Sequence, residues 1–403
     1  MTTTDFGAVH NSVLELTDRL RKADRYPLFP VVAQAGPTRA RVRAAGCAAE
    51  RDVTVLASAD YLGPAHHPEV RERAADAPRR FGTGTYGSQA VGGFTELHEE
   101  LERTVAAWFD RPAALLFPSG PQADLGVLGA LAGPGDMVFL DRFDHGSITM
   151  GARLSGAGVR MFRHNDTAHL EELLNSGEAQ EARRRLIVVA GLFSADGDLP
   201  PLREIAGLAQ RHQSLLIVDE AHSAGALGAR GRGAAELLGV LDRVDVITGT
   251  FSKSFASTGG CVCANERVAD LLRHAAGAYL LTLGLSPATV GAVFGAFGVV
   301  AREGAERRRR PVELSAALHE MLRAAGVGIG ASQAHVVVPT GTVDRTARIA
   351  RRLVGEGLLV GPLFPPAVPI GGARLRLGVT AAHSEAELQR AAQLIATAVA
   401  EEQ

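Results

Sequence analysis

The sequence predicts an α/β fold, with a mostly parallel β-sheet in a large domain and a smaller α+β domain towards the C-terminal end. Two observations predict it. Short, near-continuous apolar runs alternate with longer helix-like segments through the middle of the 403 residues, which is typical of strands buried on both faces. After about residue 300 the pattern changes to a charged helix, strand-like runs and a final helix.

The middle of the chain contains apolar runs that we predict to be buried strands. The helix-like segment 199–213 places Leu202, Ile205 and Leu208 on one face, as a helix packed on a sheet requires. Strand–helix–strand repetition of this kind implies parallel pairing. The predicted strands are 113–117, 137–140, 185–190, 215–219 and 244–250.

Three regions are expected along the chain. Residues 1–60 form an N-terminal segment that joins the small domain, residues 61–300 form the large domain, and residues 301–403 form the small C-terminal domain. Within the last region we predict a charged helix with a break over 301–326, strands in AHVVVP and ARLRLGVT, and a helix over 384–402.

Composition argues against several classes of partner. A formal charge of −2 gives no electrostatic case for nucleic acid or an anionic membrane. The N-terminal stretch MTTTDFGAVHNSV lacks the pattern of a signal peptide, and no run reaches the ~18 apolar residues of a membrane span, so we expect a soluble, cytoplasmic protein. Cys47, Cys261 and Cys263 are too few for a disulfide framework. Cys261 and Cys263 suit small buried positions in a strand better than metal ligands.

The densest basic cluster is Arg307 to Arg310. A solvated helix face is the favoured interpretation. The alternative is a binding surface for the phosphates of a coenzyme or for an acidic carrier protein.

Two motifs match known patterns by their letters alone. Gly82 to Gly87 spells G-x-G-x-x-G, but a dinucleotide site needs that pattern directly after a strand and opening a helix, whereas here a charged segment precedes it. Asp219 to His222 spells the box of a nucleotide-driven helicase, but the chain has no matching G-x-x-x-x-G-K-[ST] phosphate loop. Neither nucleotide-binding interpretation is therefore favoured.

The chemistry is indicated by a lysine and an acid at the ends of two predicted strands. Lys253 is one of only two lysines, although the chain has 42 lysines and arginines together, and it lies among Gly, Ser and Thr residues. Asp219 ends one strand and Lys253 follows the next, so both side chains could face one crevice. Pyridoxal 5′-phosphate (PLP) uses this pair: the lysine amine forms a Schiff base and the carboxylate keeps the pyridine nitrogen protonated.

Several long blocks resemble the α-oxoamine synthases, a group of PLP-dependent enzymes of fold type I, over most of the chain. The group includes 8-amino-7-oxononanoate synthase, 2-amino-3-ketobutyrate CoA ligase, 5-aminolevulinate synthase and serine palmitoyltransferase. The matching blocks are ADYLGPAHHPEV (59–70), HEELE (98–102), DRFDHGSI (141–148), RHND (163–166), GLFSADGDLPPL (191–202), VDEAHSAGALGARGRG (218–233), GTFSKSFASTGG (249–260) and ARLRLGVTAAH (373–383).

The resemblance implies a role for each matching position. Lys253 would hold PLP and move the Cα proton, Asp219 would pair with the pyridine nitrogen, and His222 would bond the phenolic oxygen. His145 would stack on the ring, although a histidine there could instead cap a helix. The other implied contacts are Ser119, Gly120, Pro121, Thr250 and Ser252 at the phosphate, Ser194 near the phenolic oxygen, and Arg376 at the substrate carboxylate.

Four positions depart from the family pattern. Ala59 replaces an asparagine, Gln89 an arginine, and Leu283 a Ser/Thr that reaches the phosphate from a second subunit, although Thr282 lies beside it. Pro121 replaces a residue with a backbone N–H, which proline lacks. These changes favour a specialised pathway over biotin or haem synthesis.

The resemblance implies a homodimeric, decarboxylating C-acyltransferase. It would join an α-amino acid to an acyl thioester, carried by coenzyme A or a carrier protein, and give an α-aminoketone. Three alternatives stay open at this point: an aldolase or racemase-like PLP enzyme that uses no thioester, a non-catalytic protein that binds PLP for structure, and a nicotinamide-binding module. No metal is expected.

Overall fold

The structure is a computed structural model that describes residues 11–330 and 335–402. Residues 1–10, which include most of the N-terminal stretch considered above, lie outside the described part, as do 331–334 and 403. The chain divides into two compact units. The large unit runs from Ala59 to Val312, and the small unit combines the chain up to Ser58 with the chain from Glu313 onwards.

The secondary structure alternates as the sequence predicts, and its bounds are as follows. The strands are β1 Val31–Ala35, β2 Arg39–Arg43, β3 Glu50–Leu56, β4 Ala113–Phe117, β5 Met137–Asp141, β6 Gly158–Phe162, β7 Arg185–Ala190, β8 Leu215–Asp219, β9 Val246–Thr250, β10 Gly260–Ala264, β11 Val336–Gly341, β12 Leu358–Leu363 and β13 Ala373–Leu377. The helices are α1 Asn11–Lys22, α2 Pro68–Phe81, α3 Glu96–Phe109, α4 Gly120–Leu131, α5 Gly146–Leu154, α6 Thr167–Leu174, α7 Gly177–Glu181, α8 Leu202–Arg211, α9 Ala234–Leu237, α10 Glu266–Ala275, α11 Gly277–Leu280, α12 Pro287–Ala324, α13 Val343–Gly355 and α14 Glu385–Glu401.

In the described part of the large unit, seven strands form one sheet in the order β4-β10-β9-β8-β7-β5-β6. Strands β5 to β9 pair in parallel, and β10 runs antiparallel to both of its neighbours. The mostly parallel sheet is therefore confirmed, and each of the five predicted runs contributes a strand to it.

The sheet is buried on both faces, which explains its near-continuous apolar strands. Along β7, Ile187 and Val189 belong to the core on one face, whereas Leu186 and Val188 belong to the core on the other. Successive side chains of a strand point to opposite faces, so a strand covered by helices on both sides has no position for a polar residue until it ends. In β7 and β8 the polar residues are accordingly found only at the strand ends, Arg185 and Asp219.

The small unit contains strands from both ends of the chain. Among its described residues, the sheet order is β1-β2-β3-β12-β13-β11, and β3 pairs in parallel with β12. Its core packs α12 and α14 on this sheet through residues such as Leu318, Leu375 and Ile395. The N-terminal segment thus joins the C-terminal region, and the second boundary lies at 312–313, twelve residues after the predicted position.

The predicted break in the charged helix is wrong. Helix α12 is continuous from Pro287 to Ala324 with Pro311 inside it. Proline removes one backbone hydrogen bond and disfavours a helix interior. Here Val300 on one side and Leu314 and Leu318 on the other are buried in cores, and this burial outweighs the local preference of proline.

The arginine cluster on α12 is only partly a solvated face. Arg309 is exposed and pairs with Glu306, as that interpretation expects. Arg307 donates to the Leu62 carbonyl over 2.8 Å, and Arg308 donates to the Ala229 carbonyl over 2.8 Å. These two side chains bind backbone oxygens in loops of the large unit, and Arg307 also pairs with Glu303 on its own helix.

The glycine motif at Gly82 to Gly87 follows helix α2 instead of a strand, and α3 begins only at Glu96. The dinucleotide-binding interpretation therefore lacks the strand–turn–helix geometry it needs. No helix within the described ranges combines the length and apolar character that crossing a lipid bilayer would require.

Candidate active site

A cavity of about 180 Å³ lies at the carboxyl edge of the large sheet. Strands β7, β8 and β9 end at Ala190, Asp219 and Thr250, and their parallel pairing brings these ends side by side. In open α/β sheets this edge is where ligands bind. The lining residues are Gly120, Pro121, Asp124, Phe143, His145, Ala190, Leu192, Ser194, Asp219, Ala221, His222, Thr250, Ser252 and Lys253.

The structure brings together most of the residues that the sequence singled out. Ser119 directly precedes Gly120 in the sequence and is the N-cap of helix α4. Arg376 lies on β13 of the small unit, so its contact with a substrate carboxylate stays a prediction. The predicted residues that line the cavity are Gly120, Pro121, His145, Ser194, Asp219, His222, Thr250, Ser252 and Lys253.

A larger cleft, of about 790 Å³, lies on the small unit. Its described lining includes neither lysine nor histidine, and Arg39 and Glu387 within it form an ion pair. The smaller cavity is therefore the better candidate, because it alone of the two combines an amine, a carboxylate and imidazoles.

Asp219 is the acid of the cavity. Only 7% of the residue is exposed, and one carboxylate oxygen accepts a hydrogen bond from the Ala221 amide over 2.9 Å. Burial raises the pKa of Asp219 above the usual range of an aspartate, while the positive charge of Lys253 opposes that rise. The lysine thus favours the ionised carboxylate.

His145 both caps a helix and lines the cavity, so the two interpretations of this residue are compatible. It precedes α5, and its Nδ1 atom accepts from the Ser147 amide over 3.3 Å. The Ser147 hydroxyl lies 2.6 Å from the same nitrogen. Burial lowers the pKa of His145, which favours a neutral imidazole, and the charge of Asp219 opposes that effect.

His222 is held by a residue that the sequence analysis did not assign. The Tyr61 hydroxyl lies 2.8 Å from His222 Nδ1, and both residues are buried. Tyr61 belongs to the block ADYLGPAHHPEV, so its position within a matched block was the available signal. Its contact with a residue 161 positions later was not readable from the sequence.

A second buried carboxyl, Asp124, also lines the cavity and was not predicted. Its Oδ1 atom lies 2.7 Å from the Thr248 hydroxyl, and its Oδ2 atom lies 2.7 Å from the Ser147 hydroxyl. Burial and the nearby charge of Asp219 raise the pKa of Asp124 well above its usual range. The only sequence signal was an acidic residue within the helix GPQADLGVLGAL, whose one other polar side chain is Gln122.

The opposite end of the cavity suits an anion. Helix α4 begins at Gly120, and backbone N–H groups at a helix N-terminus bind phosphate well. The hydroxyls of Thr250 and Ser252 lie 2.8 Å apart beside it. A Cβ at Gly260 would lie 2.4 Å from the Ser119 carbonyl oxygen, so the close approach of β10 to this helix end requires glycine.

The loop that carries His145 is held by a half-buried ion-pair cluster. His164 Nδ1 and Nε2 each lie 2.9 Å from a carboxylate, of Asp141 and Asp198 respectively, and the ring stacks on Phe143 at 4.4 Å. Burial disfavours the charged imidazole, but the two carboxylates outweigh it and raise the pKa of His164 to about 9. The charged His164 side chain thus connects Asp141, which precedes His145, with Asp198, which follows Ser194.

This cluster predicts a pH-dependent stability. Because the pKa of His164 rises from about 6.5 in the unfolded chain to about 9, its contribution is fully present below pH about 6.5 and is lost as the pH rises through about 9. A fifth of the side chain is exposed, so solvent screening reduces the contribution to roughly 1–2 kcal/mol. Denaturant unfolding of wild type and His164→Gln should differ near pH 7 and converge near pH 10. The exposed His274, replaced by Gln, is the control, and a constant difference across that range would contradict the assignment.

Comparisons with known proteins agree with this geometry. The family model for aminotransferases of class I and II matches residues 51–395. The 8-amino-7-oxononanoate synthase of Geotalea daltonii is 40% identical over 348 residues, 86% of this chain and 88% of that protein. The one from Trichlorobacter lovleyi is 39% identical over 93% of this chain and 95% of its own. The chain belongs to the α-oxoamine synthase family.

A solved α-oxoamine synthase has the same fold. Serine palmitoyltransferase from S. paucimobilis, described with bound PLP and myriocin, superposes with a TM-score of 0.93 at 30% identity and covers 99% of both chains. The predicted family and fold type I architecture are therefore confirmed. The predicted reaction class, decarboxylating acyl transfer to an α-amino acid, is that of the family and is confirmed with it.

Two of the four departures from the family pattern have a structural consequence. Gln89 is buried and donates to the Leu116 carbonyl over 3.3 Å, so it supports the protein interior. Pro121 occupies the first turn of α4, where a proline is tolerated by the helix but contributes no donor to the cavity. Since the Gln122 amide already donates to Ser119 Oγ over 3.3 Å, the Gly120 amide is the main backbone donor here.

Proposed function

We propose that this chain is a PLP-dependent α-oxoamine synthase that condenses an α-amino acid with an acyl thioester in a specialised pathway. The products are an α-aminoketone, CO₂ and a free thiol. The observation that supports this most directly is the single cavity that combines the Lys253 amine, the Asp219 carboxylate and the anion site at the start of α4. Family membership supplies the reaction class and the cofactor.

The residues of the cavity fit PLP. Thr250, Ser252 and the Gly120 amide suit its phosphate, and Asp219 suits its pyridine nitrogen. His222 and Ser194 suit its phenolic oxygen, while His145 suits the face of its ring. When bound, PLP supplies an electron sink for the pair of electrons left on Cα of the amino acid.

Lys253 and Asp219 do the chemical work of the protein in this proposal. Lys253 would hold the cofactor covalently through its amine, and the same amine, when released, would accept the proton from Cα of the amino acid. Asp219 stays ionised beside it and holds a proton on the pyridine nitrogen, which keeps the ring electron-poor. Arg376 is proposed to bind the amino-acid carboxylate, since a guanidinium suits that group bidentately.

Two measurements on the holoenzyme test the reaction. Each amino acid is first screened for exchange of its Cα proton with deuterium, which reports proton transfer alone. An acyl-CoA or acyl carrier protein is then added, and free thiol and CO₂ are quantified. Equal amounts of thiol and CO₂ with one donor support the synthase. Exchange without thiol release for every donor of varied chain length would instead indicate an aldolase or racemase-like enzyme.

Pro121 is expected to weaken binding of the PLP phosphate, because proline has no backbone N–H to donate. Pro121→Ala restores a backbone N–H at the helix N-terminus, so the Kd for PLP should fall about threefold to tenfold. Absorbance titration of the apoprotein measures this. Pro68→Ala is the matched control, because Pro68 occupies the equivalent first turn of α2 and is not among the cavity's lining residues. An equal Kd for wild type and Pro121→Ala would show that position 121 does not face the phosphate.

We also propose a homodimer formed through an apolar patch on the large unit. Tyr86 and Leu281 are 96% and 88% exposed, and Val91 lies in the same loop as Tyr86. A β-bridge between Ser88 and Leu283 holds the two segments together. Exposed apolar side chains in one place are typical of an interface.

Leu281→Glu tests the dimer, because it would bury a charge in the interface and should weaken self-association by at least about tenfold. Sedimentation over a range of concentrations measures the effect. Leu237→Glu on α9 is the control, since Leu237 is an exposed leucine outside this patch. Loss of association in both variants, or in neither, would argue against this patch.

A further inference from the structure

Asp124 is a buried carboxyl that the proposed chemistry does not use. Asp124 is 5% exposed and is the fifth residue of α4. Its Oδ2 atom lies 2.7 Å from the Ser147 hydroxyl, and its Oδ1 atom lies 2.7 Å from the Thr248 hydroxyl. An ionised carboxylate would be costly to bury beside Asp219, so the protonation state of Asp124 requires an explanation.

The hydrogen atoms around Ser147 can be assigned from the geometry. The Ser147 amide can only donate, and it lies 3.3 Å from His145 Nδ1, so this nitrogen carries a lone pair. The Ser147 hydroxyl, 2.6 Å from the same nitrogen, then donates its single hydrogen to it. The remaining contact, between Ser147 Oγ and Asp124 Oδ2, therefore needs its hydrogen from Asp124.

Electrostatics agree with a proton on Asp124. The charges of Asp219 and Lys253 act on Asp124, and His145 is connected to it through the Ser147 hydroxyl. Burial and the charge of Asp219 both raise the pKa of Asp124. The charge of Lys253 lowers the pKa of both carboxyls, and it is the leading opposing effect at Asp219. Of the two carboxyls, Asp219 is thus the one that keeps the negative charge.

We propose that Asp124 is a positioning residue: a protonated carboxyl that donates to Ser147 and, through the Ser147 hydroxyl, holds His145 as the tautomer with its hydrogen on Nε2. This arrangement leaves His145 neutral and leaves Asp219 as the anionic carboxyl of the pair. Thr248 completes it by donating to Asp124 Oδ1. The importance for catalysis rests on the proposed function of His145, but the proton assignment does not.

The assignment is tested on the holoenzyme without turnover. An infrared difference spectrum of wild type minus Asp124→Asn near pH 7.5 should contain the carbonyl band of a protonated carboxyl. Nitrogen-15 NMR of histidine-labelled protein, with His145→Asn to identify the signal, should show Nδ1 unprotonated. Asparagine keeps a donor and an acceptor, so Asp124→Asn should preserve this tautomer. Asp124→Leu should lose it.

Ser147→Ala is the second variant, and it covers the case in which Asp124→Leu does not fold. It interrupts the relay without altering Asp124, so the infrared band should persist while the His145 tautomer becomes mixed. In kinetics, Asp124→Leu should lower kcat about tenfold or more with a smaller change in KM, and Asp124→Asn should recover most of that loss. Absence of the carboxyl band, or a proton on His145 Nδ1 in wild type, would overturn the proposal. Failure of thiol release with an intact band would overturn only the proposed function.

Discussion

Lys253→Ala is expected to lower turnover by more than about 10³-fold while the protein stays folded. The side chain is half-buried at the cavity, and its amine is the group proposed both to bind the cofactor and to move the Cα proton. Removing it also removes the charge that opposes protonation of Asp219, so that carboxyl should take up a proton instead of remaining a buried anion. Lys253→Arg should be equally inactive, because a guanidinium does not release its proton near neutral pH.

The chain offers a matched control, since Lys22 is its only other lysine and is exposed on α1. Lys22→Ala should retain normal activity. Borohydride reduction followed by peptide mass spectrometry should place the pyridoxyl group on Lys253 in wild type and Lys22→Ala, and on no lysine in Lys253→Ala. Steady-state kcat and circular dichroism complete the comparison. Turnover by Lys253→Ala at a wild-type rate would refute the site assignment.

The positions of Asp219 and Lys253 could be predicted because they depend on strand ends. Strand β8 is apolar until it ends at Asp219, and Lys253 follows shortly after the end of β9, so both residues mark the carboxyl edge of the sheet. Parallel neighbours share that edge, and the residues that follow them meet there. A local pattern in the sequence therefore predicted that Asp219 and Lys253 line one cavity.

Asp124 and Tyr61 could not be predicted in the same way. Asp124 reaches the cavity only because α4 is turned so that its fifth residue faces β9, and nothing in the local pattern sets that rotation. Tyr61 reaches His222 from a loop at the start of the large unit. Both contacts depend on how whole elements pack, as does the continuity of α12 through Pro311.

The roles at the edge of the site also depend on more than residue type. His145 is a helix cap and a cavity residue at once, so the two interpretations did not exclude each other. The arginine cluster divides between solvent and backbone carbonyls, because successive positions of a helix face different directions. Pattern alone predicts that such residues are polar, and packing decides what they bind.

Asp219→Asn is expected to lower turnover by about 10³-fold or more, with little change in the fold. Asparagine fills the same space and can keep the hydrogen bond from the Ala221 amide, but it has no negative charge. The pyridine nitrogen would then lose its proton, and the ring would withdraw electrons from Cα less strongly. The loss should therefore appear in kcat and in the rate of Cα deuterium exchange more than in KM.

The same substitution should alter how cofactor binding depends on pH. Burial raises the pKa of Asp219, so in wild type this carboxyl takes up a proton at a higher pH than an ordinary aspartate, and affinity for PLP should fall as the solution is acidified. Asp219→Asn should bind PLP more weakly at neutral pH and should lack this acidic decline. Asp245→Asn is the control, because Asp245 is exposed, directly precedes β9 and accepts from the Leu216 amide at the opposite edge of the sheet. Equal deuterium exchange in wild type and Asp219→Asn would mean that another group protonates the pyridine nitrogen, and Asp124 would then be the first candidate, since it is the other carboxyl of the cavity.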